Sequence, residues 1–144
     1  MGLVVESDVD MGLDPGPPTG GATEPTVLLV EDDPSLRLLC RVNLELEHYR
    51  VLEAESVGRA EELVVSEEID VVLLDLHVGE RDGTELLPLL RERRPRAAVC
   101  LLTGTSETDP PQEEGVAAFI RKPFELEQLT GTIERLLATA PAQS

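Results

Sequence analysis

The sequence predicts an α/β domain: a parallel five-stranded sheet with helices on both faces. Two observations carry the prediction. From Thr26 onward, short apolar runs alternate with amphipathic stretches whose apolar residues recur at helical spacing. The runs TVLLV (26–30), DVVLL (70–74) and AAVCLLT (97–103) are almost wholly apolar. Strands covered by helices on both sides read this way, whereas a sheet wetted on one face alternates. No internal repeat or second domain is visible. Residues 26–138 are expected to form one domain, with tails at 1–25 and 139–144.

TVLLV is the first strand. Asp33 offers a side-chain oxygen to the free amides of a helix start, and Pro34 suits the first helical position. A helix is therefore expected from Ser35 to Glu47, with Leu36, Leu39, Cys40, Leu44 and Leu46 at near-helical spacing. RVLEA (50–54) is a short strand. Ser56 caps a helix from Val57 to about Ser66, with Ala60, Leu63 and Val64 on one face. DVVLL follows as the third strand. Gly83 to Arg93 is helical in pattern, but Pro88 lacks an amide hydrogen and crowds the preceding turn, so a kink is expected there. AAVCLLT and AAFIR (117–121) are the last strands. Glu125 to Ala138 is a closing helix with Leu126, Leu129, Ile133, Leu136 and Leu137 inward. The connection GTSETDPPQEEGV (104–116) fits least well. A crossover between parallel neighbours normally carries a helix, yet Pro110 and Pro111 leave room for a turn or two around Gln112 to Glu114. A short or irregular fourth helix is expected.

Composition limits the function. Residues 1–25 hold five acids, no base and the stretch LDPGPPTGG. Such a segment buries too little apolar surface to offset its ordering entropy, and disorder is expected. No apolar run is long enough to span a bilayer, and the N-terminus lacks the basic-then-apolar pattern of a secretory signal. A cytoplasmic protein without membrane insertion is expected. The net charge of −17 opposes direct binding of nucleic acid. It suits protein partners or serves solubility alone. Cys40 and Cys100 stand in apolar surroundings at no ligand or redox spacing and read as small buried hydrophobes.

In an open parallel sheet, ligands bind beyond the carboxyl ends of the strands. After the first strand stand Glu31, Asp32 and Asp33. Asp75 follows the third, Thr103 ends the fourth, and Lys122, the only lysine beside eleven arginines, follows the fifth. Clustered carboxylates repel one another unless something neutralises them. A hard cation with oxygen ligands does so, and Mg²⁺ takes one or two carboxylates plus waters and phosphate oxygens. A carboxylate beside such a cation is a nucleophile toward a phosphoryl group. The charge on that group is held by the metal, a hydroxyl and a cation. A compact ammonium fits a narrow site better than a planar guanidinium.

LLVEDDPSLR, VVLLDLHVGERDGTELL, CLLTG and FIRKPF, in this order and spacing, resemble a response-regulator receiver domain of two-component signalling over residues 26–138. The resemblance implies a flavodoxin-like, doubly wound sheet of order 2-1-3-4-5. It implies that Asp75 accepts a phosphoryl group from a sensor histidine kinase or phosphotransfer protein. Asp32 would be a direct Mg²⁺ ligand, Glu31 a ligand through water, and Asp75 and the backbone carbonyl of His77 further ligands. Thr103 would bond the phosphoryl group, Phe119 would be the aromatic that rotates inward on activation, and Lys122 would pair with Asp75 and then with its phosphoryl group. Pro123 would follow a cis bond. The expected protein is a stand-alone switch acting on a downstream protein effector or in a phosphorelay. It would be no metabolic enzyme, although it promotes its own phosphorylation and dephosphorylation.

Plainer assignments compete. The acids at 31–33 serve as helix caps, Asp75 as a loop acid, Thr103 as a strand-end residue and Phe119 as core. His48 and the His77 imidazole have no assigned role and are expected at the surface or rim. Three features depart from the family pattern. Gly79 stands where proline is usual, which loosens the loop after Asp75. His77 would project near the site mouth, where it would influence attacking water. The segment between Thr103 and Phe119 is about one helical turn short, which implies an altered output surface not built for the common symmetric dimer. The alternative function is a non-phosphorylated pseudo-receiver acting as an interaction module. A haloacid-dehalogenase-like phosphatase is disfavoured because His77 stands where that family needs a second aspartate. A flavodoxin-type cofactor binder is disfavoured by acids where phosphate-cradling loops belong.

Overall fold

The structure, a computed structural model, describes residues 24–104 and 115–138. The expected disorder of the N-terminal tail, the short fourth helix and the C-terminal tail fall on residues outside these. Five strands form one parallel sheet: β1 (Thr26–Val30), β2 (Arg50–Ala54), β3 (Val71–Asp75), β4 (Ala98–Thr103) and β5 (Val116–Arg121), in the order 2-1-3-4-5. Four helices are described: α1 (Pro34–Leu46), α2 (Val57–Ser66), α3 (Leu87–Arg93) and α4 (Leu126–Ala138).

Two apolar layers sandwich the sheet, because alternate strand residues point to opposite faces. Leu28, Val30, Val72, Leu74 and Leu101 pack against α2 and α3. Val27, Leu29, Leu73, Leu102 and Ile120 pack against α1 and α4 on the other face. Cys40 and Cys100 are fully buried in this second layer, and burial pushes their thiols up to about 11 and about 12. They are the small hydrophobes their surroundings implied. β1 and β3 are buried throughout, whereas β2 and β5 are only partly so. The continuous apolar rule therefore holds for the interior strands and fails at the edges, which have one neighbour each.

Helix starts follow the expected caps. Asp33 accepts from the amides of Ser35 and Leu36, and Ser56 accepts from that of Arg59. Pro88 does more than kink a helix. Gly83–Leu86 is a 3₁₀ turn, and the α-helix begins only at Leu87, so that the proline falls in its first turn and forfeits no helical bond. In α1 the row Leu36, Cys40, Leu44 faces the sheet, while Leu38, Leu39, Val42 and Leu46 are exposed. The spacing of 39 and 46 is helical, but their row lies beside the one that packs.

Candidate functional site

Backbone geometry gathers the carboxyl ends of β1, β3, β4 and β5. Val30 and Leu74 are register partners, so Glu31 and Asp75 leave adjacent strands side by side. Asp75 pairs with Leu102, which puts Thr103 one residue further along the same edge. The amide of Lys122 donates to the Thr103 carbonyl at 2.7 Å, tying the loop after β5 to the end of β4. The Lys122–Pro123 bond is cis, as expected.

The side chains converge. The carboxylate oxygens of Glu31, Asp32 and Asp75 lie within 4.8 Å of one another. Lys122 Nζ stands 3.0 Å from Glu31 Oε1 and 3.2 Å from Asp75 Oδ2. Three carboxylates thus face one ammonium. Glu31 is 1% exposed, and its carboxyl is pushed up to about 7, first by burial and then by the Asp75 charge. Lys122 and the amide of Asp33 pull the other way without prevailing. Burial opposes the charge on Lys122, but its hydrogen bond to Glu31 and the charges of Asp75 and Glu31 win, so its ammonium is held above the usual range. The cluster is short of positive charge. The all-oxygen donor set of Glu31, Asp32 and Asp75 fits a hard divalent cation.

The surrounding backbone holds these groups in place. Glu31 Oε2 accepts from the amide of Asp33 at 3.1 Å, and its carbonyl accepts from Arg37 at 2.8 Å. Asp32, exposed, accepts from the amide of Gly79 at 2.8 Å. Gly79 has φ +61°, the left-handed region that glycine enters without strain, and this turn aims its amide at Asp32. Asp75 Oδ1 accepts from the amide of His77 at 3.3 Å. His77–Val78 and Arg81–Asp82 then pair as a two-strand antiparallel ribbon. Gly83 donates to the Leu76 carbonyl at 2.7 Å, and a Cβ there would collide with the carbonyl oxygen of Asp75.

Glu31, Asp32, Asp75 and Lys122 are therefore brought together, and Thr103, 1% exposed, ends the neighbouring strand β4. Phe119 is 37% exposed, which rules out the plain core reading. His77 and His48 are both exposed, as expected. Sequence reasoning missed Arg37, the ribbon and the reason for glycine at 83. An arginine six residues after a strand-end acid carries no signal by itself. A two-residue strand is too short for periodicity to detect. The Asp82-Gly83 pair was visible, but its contact with Asp75 was not.

The profile of the response regulator receiver domain matches residues 27–134. Transcriptional regulatory protein GlrR of Escherichia coli is 32% identical over 120 residues, covering 81% of this chain and 27% of the relative. Transcriptional regulatory protein ResD of Bacillus subtilis is 31% identical, covering 84% of this chain and 51% of the relative. The chain thus spans about a quarter to a half of these curated relatives. Among solved structures, the non-phosphorylated HemR receiver domain of Leptospira biflexa matches with TM-score 0.73 and 30% identity, covering 84% of this chain and 100% of that one. The TrrA protein of Thermotoga maritima, solved in complex with Mg²⁺ and BeF, matches with TM-score 0.69 and 25% identity, covering 78% and 99%.

Proposed function

Because this chain belongs to the response regulator receiver domains of two-component signalling, we propose that it accepts a phosphoryl group on Asp75 and uses it to switch protein contacts. The observation that carries the reading is the convergence of Glu31, Asp32, Asp75 and Lys122 at one sheet edge, with Glu31 buried and under-compensated. The receiver unit is taken as residues 26–138.

An oxygen of Asp75 attacks the phosphorus of a phosphohistidine on a sensor kinase or phosphotransfer protein. The new P–O bond forms as the P–N bond breaks, and the imidazole leaves with a solvent proton. Bound Mg²⁺ supplies charge neutralisation on the transferring oxygens. Asp32, Glu31, Asp75 and the His77 carbonyl would hold it. Lys122, already beside Asp75, stays with the phosphoryl group as its cation. Thr103 bonds that group by its hydroxyl, and Phe119 moves from its exposed position into the space this leaves. The output passes through protein partners, since the charge of −17 disfavours a phosphate backbone. Around Leu36, Leu39, Phe124 and Leu126 an apolar groove of about 460 Å³ adjoins Lys122. It offers the phosphodonor a docking shelf next to the acceptor. The chain is read as a signalling switch in the cytoplasm rather than a metabolic enzyme.

Mg²⁺ with beryllofluoride, a phosphoryl mimic, tests the reading by amide NMR. The expected result is saturable shifts at Asp75, Thr103 and Phe119 that require Mg²⁺ and vanish in Asp75→Ala. Shifts that persist in Asp75→Ala, or none with Mg²⁺ also failing to bind, would favour a pseudo-receiver. The exposed imidazole of His77 adjoins this site, and His77→Ala is expected to change the autodephosphorylation rate several-fold; equal rates would remove His77 from the account.

A further inference from the structure

The amino-terminal ends of the strands, remote from Asp75, border a cleft of about 390 Å³. Arg93, Arg94 and Arg96 wall it, and Ile69, Ala97 and Leu137 give it apolar surface. RERRPR (91–96) places four of the eleven arginines in six residues of a chain with net charge −17. Arg94 is engaged. Its Nε donates to the Val64 carbonyl at 2.9 Å, its Nη2 donates to the Val65 carbonyl at 3.2 Å, and Nη1 faces Glu68 at 3.6 Å. Arg93 and Arg96 are exposed and have no ion pair among the described residues. Free guanidiniums beside apolar surface suit a segment that mixes carboxylates with apolar side chains.

The chain contains such a segment. LVVESDVDMGLD (3–14) carries four acids, no base, and apolar residues between them. It is also tethered at the cleft. The Thr26 amide donates to Asp70 Oδ2 at 2.8 Å, and the Asp70 amide donates to the Thr26 carbonyl at 2.9 Å. Asp70 borders the cleft, so β1 starts at its rim. β1 and β4 are separated only by β3, which sets Thr26 about 10 Å from the start of β4. The eleven residues 15–25 reach at most about 40 Å, far more than is needed. Exposed ion pairs are individually weak, but a short tether raises the local concentration of the segment to about the millimolar range.

We propose that the acidic, apolar segment 3–14 docks intramolecularly in this arginine-walled cleft. The contact is held by Arg93 and Arg96 and lies at the end of the sheet opposite the phosphoryl acceptor. It does not depend on the phosphorylation reading.

A nitroxide at Ser7→Cys in the full chain tests the contact by paramagnetic broadening of amide signals. Cys40 and Cys100 are fully buried and stay unlabelled. The amides of 68–70, 93, 94, 96 and 97 are expected to lose more than half their intensity, with those around Asp75 unaffected. Arg93→Glu with Arg96→Glu, or about 0.5 M NaCl, should restore them. Both positions are exposed, so the double variant should keep its remaining spectrum. Absence of selective broadening, broadening that survives charge reversal, or broadening that appears equally between labelled and unlabelled molecules in a mixture would each overturn the proposal.

Discussion

The two ends of one sheet use charge in opposite ways. At the carboxyl end, Glu31, Asp75 and Lys122 are drawn inward until each sits within 3.2 Å of an opposite charge, and Glu31 is almost wholly buried. At the amino end, Arg93 and Arg96 point to solvent, and Arg94 spends its donors on the last carbonyls of α2. Burial makes the first set costly, mutually dependent and chemically poised. Exposure makes the second set cheap and independent. Both sets stand near strand ends, so proximity to a strand end does not distinguish them. Convergence under desolvation does.

Substitutions should expose this difference. The largest effect is expected at Gly83, where a Cβ would meet the Asp75 carbonyl oxygen. Gly83→Ala should destabilise by about 3 kcal/mol and weaken Mg²⁺ binding by displacing Asp75, both readable by denaturant unfolding with and without Mg²⁺. Lys122→Met removes the ammonium that pairs with two buried carboxylates and should cost about 2 kcal/mol, a value reduced because the lysine is partly exposed. Mg²⁺ should recover most of that loss. A variant equally unstable with Mg²⁺ would show that the lysine acts by packing rather than charge.

The pH dependence follows from Glu31. Its folded carboxyl keeps its proton until about pH 7, whereas the unfolded one releases it near 4.5. Stability without metal should therefore fall as pH rises between those values, by on the order of 3 kcal/mol if no other group compensates. Mg²⁺ requires the ionised form, so its apparent affinity should rise roughly tenfold from pH 5 to 6 and level off above 8. Glu31→Gln should flatten both curves. At the amino end, Arg94→Ala leaves the carbonyls of Val64 and Val65 without their donor and should cost only about 1 kcal/mol. It should leave Mg²⁺ affinity unchanged.

Much of this was legible in the sequence because it follows local rules. Strand-end acids, the Asp33 and Ser56 caps and the three interior strands depend on residues near each other in the chain. The convergence of Glu31 with Lys122, ninety-one residues later, was legible only through the expected parallel order of the strands. What escaped depends on single contacts to a backbone group. Gly83 against Asp75, the Gly79 amide on Asp32 and Arg37 on the Glu31 carbonyl leave no periodic mark. The exposed row of α1 escaped for a different reason: spacing identifies a helix, but which of two adjacent apolar rows meets the sheet is set by packing.

In the proposed function the under-compensated cluster at the carboxyl end accepts a phosphoryl group on Asp75. Intact-protein mass after incubation with acetyl phosphate, with Mg²⁺ or with a chelator, and run beside Asp75→Ala, tests it most directly. A single phosphoryl adduct that needs Mg²⁺ and is absent from Asp75→Ala is the predicted result. An adduct that forms without Mg²⁺ or persists in Asp75→Ala would contradict the claim.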